Sequence, residues 1–308
     1  MLFFAADAQD VRAKNILFLG DNGMDRQHGV PTEESHRARS EFVRRLVQDF
    51  NNSAVVSSAF AKKIPKRIIQ FWDSVDRLPR DVSECIETWS KAEEQGVERH
   101  LYDKNQAREF IGYRLGIRHK QAYDKCYHPA MQSDYFRLCY TFVEGGCYID
   151  ADDVYKGADI QHLFNDGRLK IQPLCYDMET NMMVPPSLFT KQGVTATSWI
   201  FYFNNNPLIA ACGHPIIEWA LETATLALER DMSGELPDIQ STTGPGNLTK
   251  SIFDIAFKNE DIKETLLVIR DWESIATSKW PLSYRNDERN WRLSDCKRPS
   301  LMENEVNE

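Results

Sequence analysis

One stretch constrains this chain more than any other. Ser133 to Asp153 reads Ser-Asp-Tyr-Phe-Arg-Leu-Cys-Tyr-Thr-Phe-Val-Glu-Gly-Gly-Cys-Tyr-Ile-Asp-Ala-Asp-Asp. Tyr135, Leu138, Cys139 and Phe142 fall at i, i+3, i+4 and i+7, one apolar face at helical period. Asp134 and Arg137 are three apart and neighbour each other on a different face. Gly145-Gly146 ends such a helix, because glycine takes the left-handed conformation without penalty. Cys147-Tyr148-Ile149 is too short for a helix and too apolar for a loop. It fits a buried strand that delivers Asp150 to a strand end, and the whole stretch belongs to an α/β fold.

In an extended segment, residues two apart point to the same side. Asp150 and Asp152 therefore face one object together. Two carboxylates at one strand end repel each other unless a cation joins them. Hard divalent ions such as Mg²⁺, or Mn²⁺ with similar ligands, take oxygen ligands and share their shell with a substrate's phosphates. A bare Asp-x-Asp reads more readily as a solvated acidic turn after a strand; the helix and the Gly-Gly-x-Tyr strand before it favour the cation site.

The stretch resembles the signature of the family 32 glycosyltransferases, the group of the fungal initiating α-1,6-mannosyltransferases, to which the catalytic core of the large glucosylating toxins is related. That signature is an Asp-x-x-Arg helix followed by Gly-Gly-x-Tyr-x-Asp-x-Asp. Here it is Asp134, Arg137, Gly145, Gly146, Tyr148, Asp150 and Asp152. The resemblance implies a GT-A-type, nucleotide-sugar-binding, Rossmann-like sheet with helices on both faces. The resemblance covers about residues 63–250, and the domain is expected over 63–300; outside it, 1–62 reads as a helical N-terminal appendage and the acidic 301–308 as a disordered tail. It implies a retaining hexosyltransferase that uses a UDP- or GDP-hexose donor and a glycan or glycolipid acceptor, in surface polysaccharide or lipopolysaccharide synthesis. Asp152 would be the direct ligand of Mn²⁺ or Mg²⁺. Asp150 would hold the ribose or the metal's water shell, supported by Asp153. Asp134 and Arg137 would hold the donor sugar's hydroxyls, and Tyr148 would belong to the donor site. Taken alone, Asp134 and Arg137 read as an exposed helix ion pair. A metal-dependent nucleotide-sugar hydrolase and a non-catalytic carbohydrate-binding relative are the other two readings.

Further motifs surround this centre. In Lys63-Ile-Pro-Lys-Arg-Ile-Ile-Gln-Phe-Trp72, the residues Ile68, Ile69 and Phe71 read as a buried first strand that ends at Trp72. Ligands of open α/β sheets bind beyond the carboxyl ends of the strands. A Trp there offers a flat face to a nucleobase, as the matching Trp does in the enzymes this chain resembles, or it is a core residue. Val97–Asp103 is the next candidate strand, and the resemblance places Asp103 near the nucleotide. Thr197–Phe203 reads as a strand followed by Asn204-Asn205-Asn206, and Asn204 to Asn206 are candidates for the donor sugar or the acceptor, with Asn204 taken as the site residue. In Thr243-Gly244-Pro245-Gly246, the glycines give a tight turn before a helix whose free N–H groups suit a phosphate or a sugar hydroxyl. A plain helix cap is the competing reading. Leu266–Arg270 looks like the last strand. No His follows His214, which leaves the third protein ligand of a metal open, with Asn290-Trp291 as a substitute.

The net charge of −9 excludes nucleic-acid binding through a broad basic surface. A helix expected from Pro31 to about Phe50 carries Arg37, Arg39, Arg44 and Arg45, a solvated face or a local contact for an anionic membrane. Seven cysteines without a Cys-x-x-Cys pair suit reduced thiols. No window approaches the roughly 18 apolar residues that span a membrane. These features suggest a cytoplasmic enzyme, with peripheral contact at the inner face of the membrane left open.

Overall fold

The computed structural model describes residues 33–49, 63–230, 236–258, 262–290 and 292. The short strand expected at Asn15–Gly20, Phe50, Trp291 and the tail at 301–308 lie outside them. In chain order the elements are α1 (Glu33–Gln48), β1 (Arg67–Phe71), α2 (Arg80–Thr88), β2 (Glu98–Tyr102), α3 (Lys104–Leu115), α4 (Ile117–Asp124) and α5 (Pro129–Glu144). Then come β3 (Gly146–Tyr148), β4 (Asp153–Tyr155), β5 (Leu169–Ile171), β6 (Pro173–Asp177), β7 (Met182–Met183), α6 (Pro186–Phe189), β8 (Trp199–Phe203) and β9 (Leu208–Ala210). The chain continues with α7 (Pro215–Glu229), α8 (Ile239–Thr242), α9 (Pro245–Lys258), β10 (Leu266–Val268) and β11 (Ala276–Ser278).

The central sheet has six strands in the order β10-β5-β9-β3-β1-β2. β1 is parallel to both β2 and β3, and β5 is parallel to β10. β9 runs antiparallel between β3 and β5, so the sheet is mixed. A three-stranded antiparallel sheet, β7-β6-β8, and a two-stranded ribbon, β4-β11, complete the fold. The ribbon adds a strand after the one expected to be last. The chain leaves β1 for β2 on one side and returns to β3 on the other. The strand order reverses at this point, and the crevice outside the carboxyl ends of β1 and β3 is where such a sheet binds ligands.

The inner strands β1, β3, β5 and β9 are buried on both faces, which explains their largely apolar sequences, whereas the edge strand β2 (Glu-Arg-His-Leu-Tyr) is exposed or half-buried. Ile69, Phe71, Tyr148, Leu208 and Ala210 join the larger core with residues of α3, α4, α5, α7 and α9. Ile68, Cys147, Ile149 and Ile209 join a second core with Trp89, Tyr155, Phe164 and Trp272. The expectation of helices on both faces needs correcting in detail. The long helices lie with the first core, and 3₁₀ turns at Trp89–Gln95 and Gln161–Phe164 cover the second. These segments are short and bounded by Gly96, Gly157 and Asn165-Asp166-Gly167, so no long apolar period can build a helix there.

Helix α1 is built into the main core. Val43, Leu46 and Val47 are buried there, and Phe42 meets Phe253 edge to face at 5.3 Å. Gln48 Nε2 donates to the carbonyls of Phe189 at 2.9 Å and Val194 at 2.7 Å. Of the arginines on this helix, Arg39 is buried, and Arg44 and Arg45 pair with Glu41.

Helix α5 starts at a His128 cap, whose Nδ1 accepts from Ala130 N at 3.0 Å, with Pro129 at the first helical position. It ends at Gly145, with φ +70°. A Cβ there would lie 2.8 Å from Cys212 N and 3.0 Å from Ala210 O. Backbone conformation and close approach to β9 therefore both require glycine.

Candidate active site

Helix α5 and strand β3 bring the central motif together at the β1/β3 crevice. Arg137, 3% exposed, lies inside the protein. Its Nη2 is 2.8 Å from Asp150 Oδ1 and 3.0 Å from Asp134 Oδ1. The same nitrogen donates to Ser133 Oγ at 2.9 Å, and Nη1 donates to Asn205 O at 2.8 Å. The guanidinium carbon lies 4.3 Å from the centre of the Tyr148 ring, and the Tyr148 hydroxyl bonds Ser133 Oγ at 2.7 Å. The pair is thus a buried charge network and not a solvated helix ion pair.

Two asparagines between β8 and β9 finish the network. Asn205 Nδ2 donates to Asp134 Oδ1 at 2.8 Å. Asn206 Oδ1 accepts from Asp150 N at 3.0 Å, and its Nδ2 donates to Asp153 Oδ2 at 2.9 Å. Asp153 Oδ1 accepts from Ser278 Oγ at 2.6 Å. Asp153 is therefore tied on both oxygens, whereas the Asp150 side chain is 35% exposed.

Burial disfavours the charge on Arg137, but the Asp150 and Asp134 carboxylates outweigh it and hold the guanidinium above its usual range. Burial pushes the Asp134 carboxyl up to about 6, against the pull of Arg137. Burial also raises Asp153, helped by the charges of Asp152 and Asp150. A carboxyl with a raised folded pKa binds protons more tightly when folded. Its stabilising contribution is complete below the unfolded value near 4 and is lost as pH rises through the folded one. Asp134→Asn removes this loss. From about pH 4 to above pH 6, the variant should gain stability relative to the parent, on the order of 2 kcal/mol for a shift of about two units. Paired urea titrations at pH 4.5 and 7.5 check this, and a difference that does not change with pH contradicts it.

Asp152 is held from a distant part of the chain. Tyr284 OH donates to its Oδ2 at 2.8 Å, and Arg285 Nη2 pairs with the same oxygen. Tyr284 also packs edge to face on Trp72, centroids 5.3 Å apart. Trp72, at the carboxyl end of β1, is 8% exposed and belongs to a small cluster with Val82, Cys85, Ala151 and Leu282. Three buried N–H donors at this site have no acceptor among the described residues: Trp72 Nε1, Arg137 Nε and Arg285 Nε. A ligand rich in oxygen acceptors matches such a set.

The remaining candidates are engaged in other contacts. Asp103 caps α3, accepting from Asn105 N and Gln106 N, both at 2.8 Å. Gln106 reaches back to Asp103 N at 3.0 Å, completing a capping box. Gly244 N bonds Ile239 O at 3.0 Å, and Gly246 lies in the first turn of α9. Asn247 in that turn ties to Ala220 O at 2.8 Å, and Thr249 Oγ1 accepts from Phe203 N at 3.0 Å, so this segment braces α7 and β8. Asn204 N bonds Gln172 O at 3.0 Å, and it is the next two asparagines that reach the carboxylates. Sequence reasoning passed over Tyr284 and Arg285. Their one signal was an aromatic-basic pair in a polar segment between Trp280 and Trp291.

Among the described residues, no group of three or more His, Cys, Asp or Glu is arranged to hold a metal. A turn carries Asp150 and Asp152, with Asp153 N bonding Asp150 O at 3.2 Å, and the two carboxylates meet different partners, Arg137 and Arg285. Two carboxylates are a donor type that Mg²⁺ or Mn²⁺ would accept, completing the shell with water and phosphate oxygens. Asn290 Nδ2 donates to Arg285 O at 2.7 Å, so its side chain braces the segment that holds Asp152. Among the described residues, no helix is long and apolar enough to cross a membrane.

No family model matches the chain, and no curated protein matches it. Among solved structures, it is similar to one titled "PaToxG Glycosyltransferase", at 15% identity over 71% of this chain and 76% of that one, with a TM-score of 0.44.

Proposed function

We propose that this chain is a retaining, divalent-metal-dependent glycosyltransferase that moves a hexose from a UDP- or GDP-linked donor to a glycan or glycolipid acceptor. The observation that carries the reading is the buried Asp134–Arg137–Asp150 network, which meets Asp152 at the switch point of the sheet. The signature order of these residues and the three unpartnered N–H donors support it.

The chemical task is to break a glycosyl–phosphate bond. Asp152 and Asp150 would hold the divalent cation, which when bound would supply the charge that a nucleoside diphosphate needs to be a competent leaving group. Asp134 accepts from a sugar hydroxyl, and Arg137 fixes the carboxylates that surround it. The Trp72 ring serves the base. Asn205 and Asn206 hold Asp134 and Asp150 in place, so the donor meets a preorganised site. Retention of configuration follows from attack on the face the leaving group departs from, with the departing phosphate taking the acceptor's proton. No protein nucleophile is invoked. The setting implied is surface polysaccharide or lipopolysaccharide synthesis at the inner face of the membrane.

A thermal-shift panel of UDP, GDP and their hexose conjugates, each with and without Mn²⁺, tests the reading. One nucleotide class should raise Tm only in the presence of the metal. At a hundredfold excess over Kd, the stabilisation is about 2.7 kcal/mol. No shift with any nucleotide would favour a non-catalytic carbohydrate-binding relative.

A further inference from the structure

The two carboxylates at the crevice are neutralised in different ways. Asp150 is met by Arg137, which Ser133 on α5 and the Asn205 carbonyl after β8 fix. Asp152 is met by Arg285, which belongs to no long helix and to no strand. The Asp152 and Arg285 side chains are 10% and 13% exposed, so the pair is formed away from water. The segment that carries Arg285 is tied to the rest of the protein on both sides of that residue. Lys279 N bonds Asp152 O at 2.9 Å. Ser283 N and Oγ bond the Asp81 carboxylate at 2.6 and 3.0 Å, and His128 Nε2 meets Glu288 O at 2.9 Å. Leu282 is its apolar anchor, in the cluster with Trp72. The Arg285 guanidinium also lies 3.5 Å from the centre of the Trp280 ring, and Trp280 is 51% exposed. Arg285 therefore has a second partner on the outer side, an indole face that attracts a cation.

We propose that Arg285 is a stand-in cation, which occupies the place of a divalent ion on Asp152 until an ion arriving with a nucleoside diphosphate displaces it. The proposal rests on the reading that Asp152 holds the metal. A buried carboxylate without a counter-charge is costly, so the segment supplies one in the free protein. Two cations on one carboxylate oxygen repel, so the ion and Arg285 exclude each other there. An ion alone must turn out the guanidinium with nothing to receive it. An ion with a diphosphate provides the released guanidinium with a new anionic partner, and Arg285 Nε, without an acceptor, has donor capacity to spare. The consequence is synergy, in which metal and nucleotide bind together far better than either alone.

The test is a titration of the full chain with Mn²⁺ alone, reading free Mn²⁺ by electron paramagnetic resonance. Arg285→Gln should bind Mn²⁺ at least tenfold more tightly than the parent. Arg285→Lys, which keeps a charge but loses the planar fork, should fall between them and gives the answer if the glutamine variant does not fold. Asp152→Asn combined with Arg285→Gln should lose the gain. UDP or GDP, whichever binds, should then raise Mn²⁺ affinity more in the parent than in Arg285→Gln. Equal Mn²⁺ affinity of the parent and both single variants overturns the proposal, as does a gain that survives the loss of Asp152. A parent that binds neither UDP nor GDP removes the glycosyltransferase reading instead, since the comparison with Mn²⁺ alone involves no nucleotide.

Discussion

Exchanging Arg137 for glutamine is expected to lower the free energy of unfolding by about 3–5 kcal/mol, the cost of leaving a buried charge without its partner. The guanidinium serves Asp150, Asp134, Ser133, the Asn205 carbonyl and the Tyr148 ring at once. A glutamine amide replaces at most two of these contacts and none of the charge. The two carboxylates respond differently. Asp134, already pushed up to about 6, escapes by taking a proton, and Asp150 turns to water through its exposed third. Loss of the cation raises the folded pKa of both groups further. The defect should therefore be larger at pH 8, where both must ionise, than at pH 5. Urea denaturation at the two pH values measures it. Adding Asp150→Asn should return part of the loss, because the double variant removes the stranded charge along with its partner. A defect below about 1 kcal/mol at pH 8 would contradict the picture of a buried, charge-balanced network.

The second large effect concerns chemistry and not stability. Asp152→Asn should lower the rate of hexose transfer by about 10²–10³-fold, the range seen when one group stabilising transition-state charge is lost. At 1.36 kcal/mol per factor of ten, this corresponds to about 3–4 kcal/mol of barrier. The fold should survive. Asp152 touches the rest of the protein through Tyr284, Arg285 and one backbone bond, away from both main cores. Asparagine keeps an oxygen for the Tyr284 hydroxyl, and Arg285 keeps its place on Trp280. Initial rates with saturating donor and excess Mn²⁺, alongside a thermal melt, separate the two effects. Full activity in this variant would remove Asp152 as a metal ligand.

Local pattern made much of this legible in advance. Helix α5, its glycine stop and the strand after it follow from spacing within about twenty residues. So do β1 at Ile68, Ile69 and Phe71, and β8 before the asparagine run. What the sequence could not tell apart were choices settled by tertiary contact. An acid before a helix reads both as a strand-end ligand and as a cap, and Asp103 spends its carboxylate on backbone N–H groups. Three consecutive asparagines look alike until the strand on either side fixes which of them faces the carboxylates. The strand at β8 ends so that Asn205 and Asn206 do. Tyr284 and Arg285 were hidden because their segment has no period. Their role arises from meeting Asp152 across a sequence distance that no local rule spans.

The strand order of the central sheet also determines when this crevice can exist during folding. β1 pairs with β3 across the whole of α2 to α5, and β3 pairs with β9 only after β8 has been made. Helical contacts among α3, α4 and α5 are local and form early, whereas such distant strand pairings are slow. Asp150 N meets Asn206 Oδ1 only once the segment between β8 and β9 lies beside β3, so the site is complete only with that distant strand pairing. Strands still waiting for distant partners expose apolar surface, and self-association then competes with completion of the sheet. Slow, dilute refolding would favour the finished site, and nucleotide added early would have nothing assembled to bind.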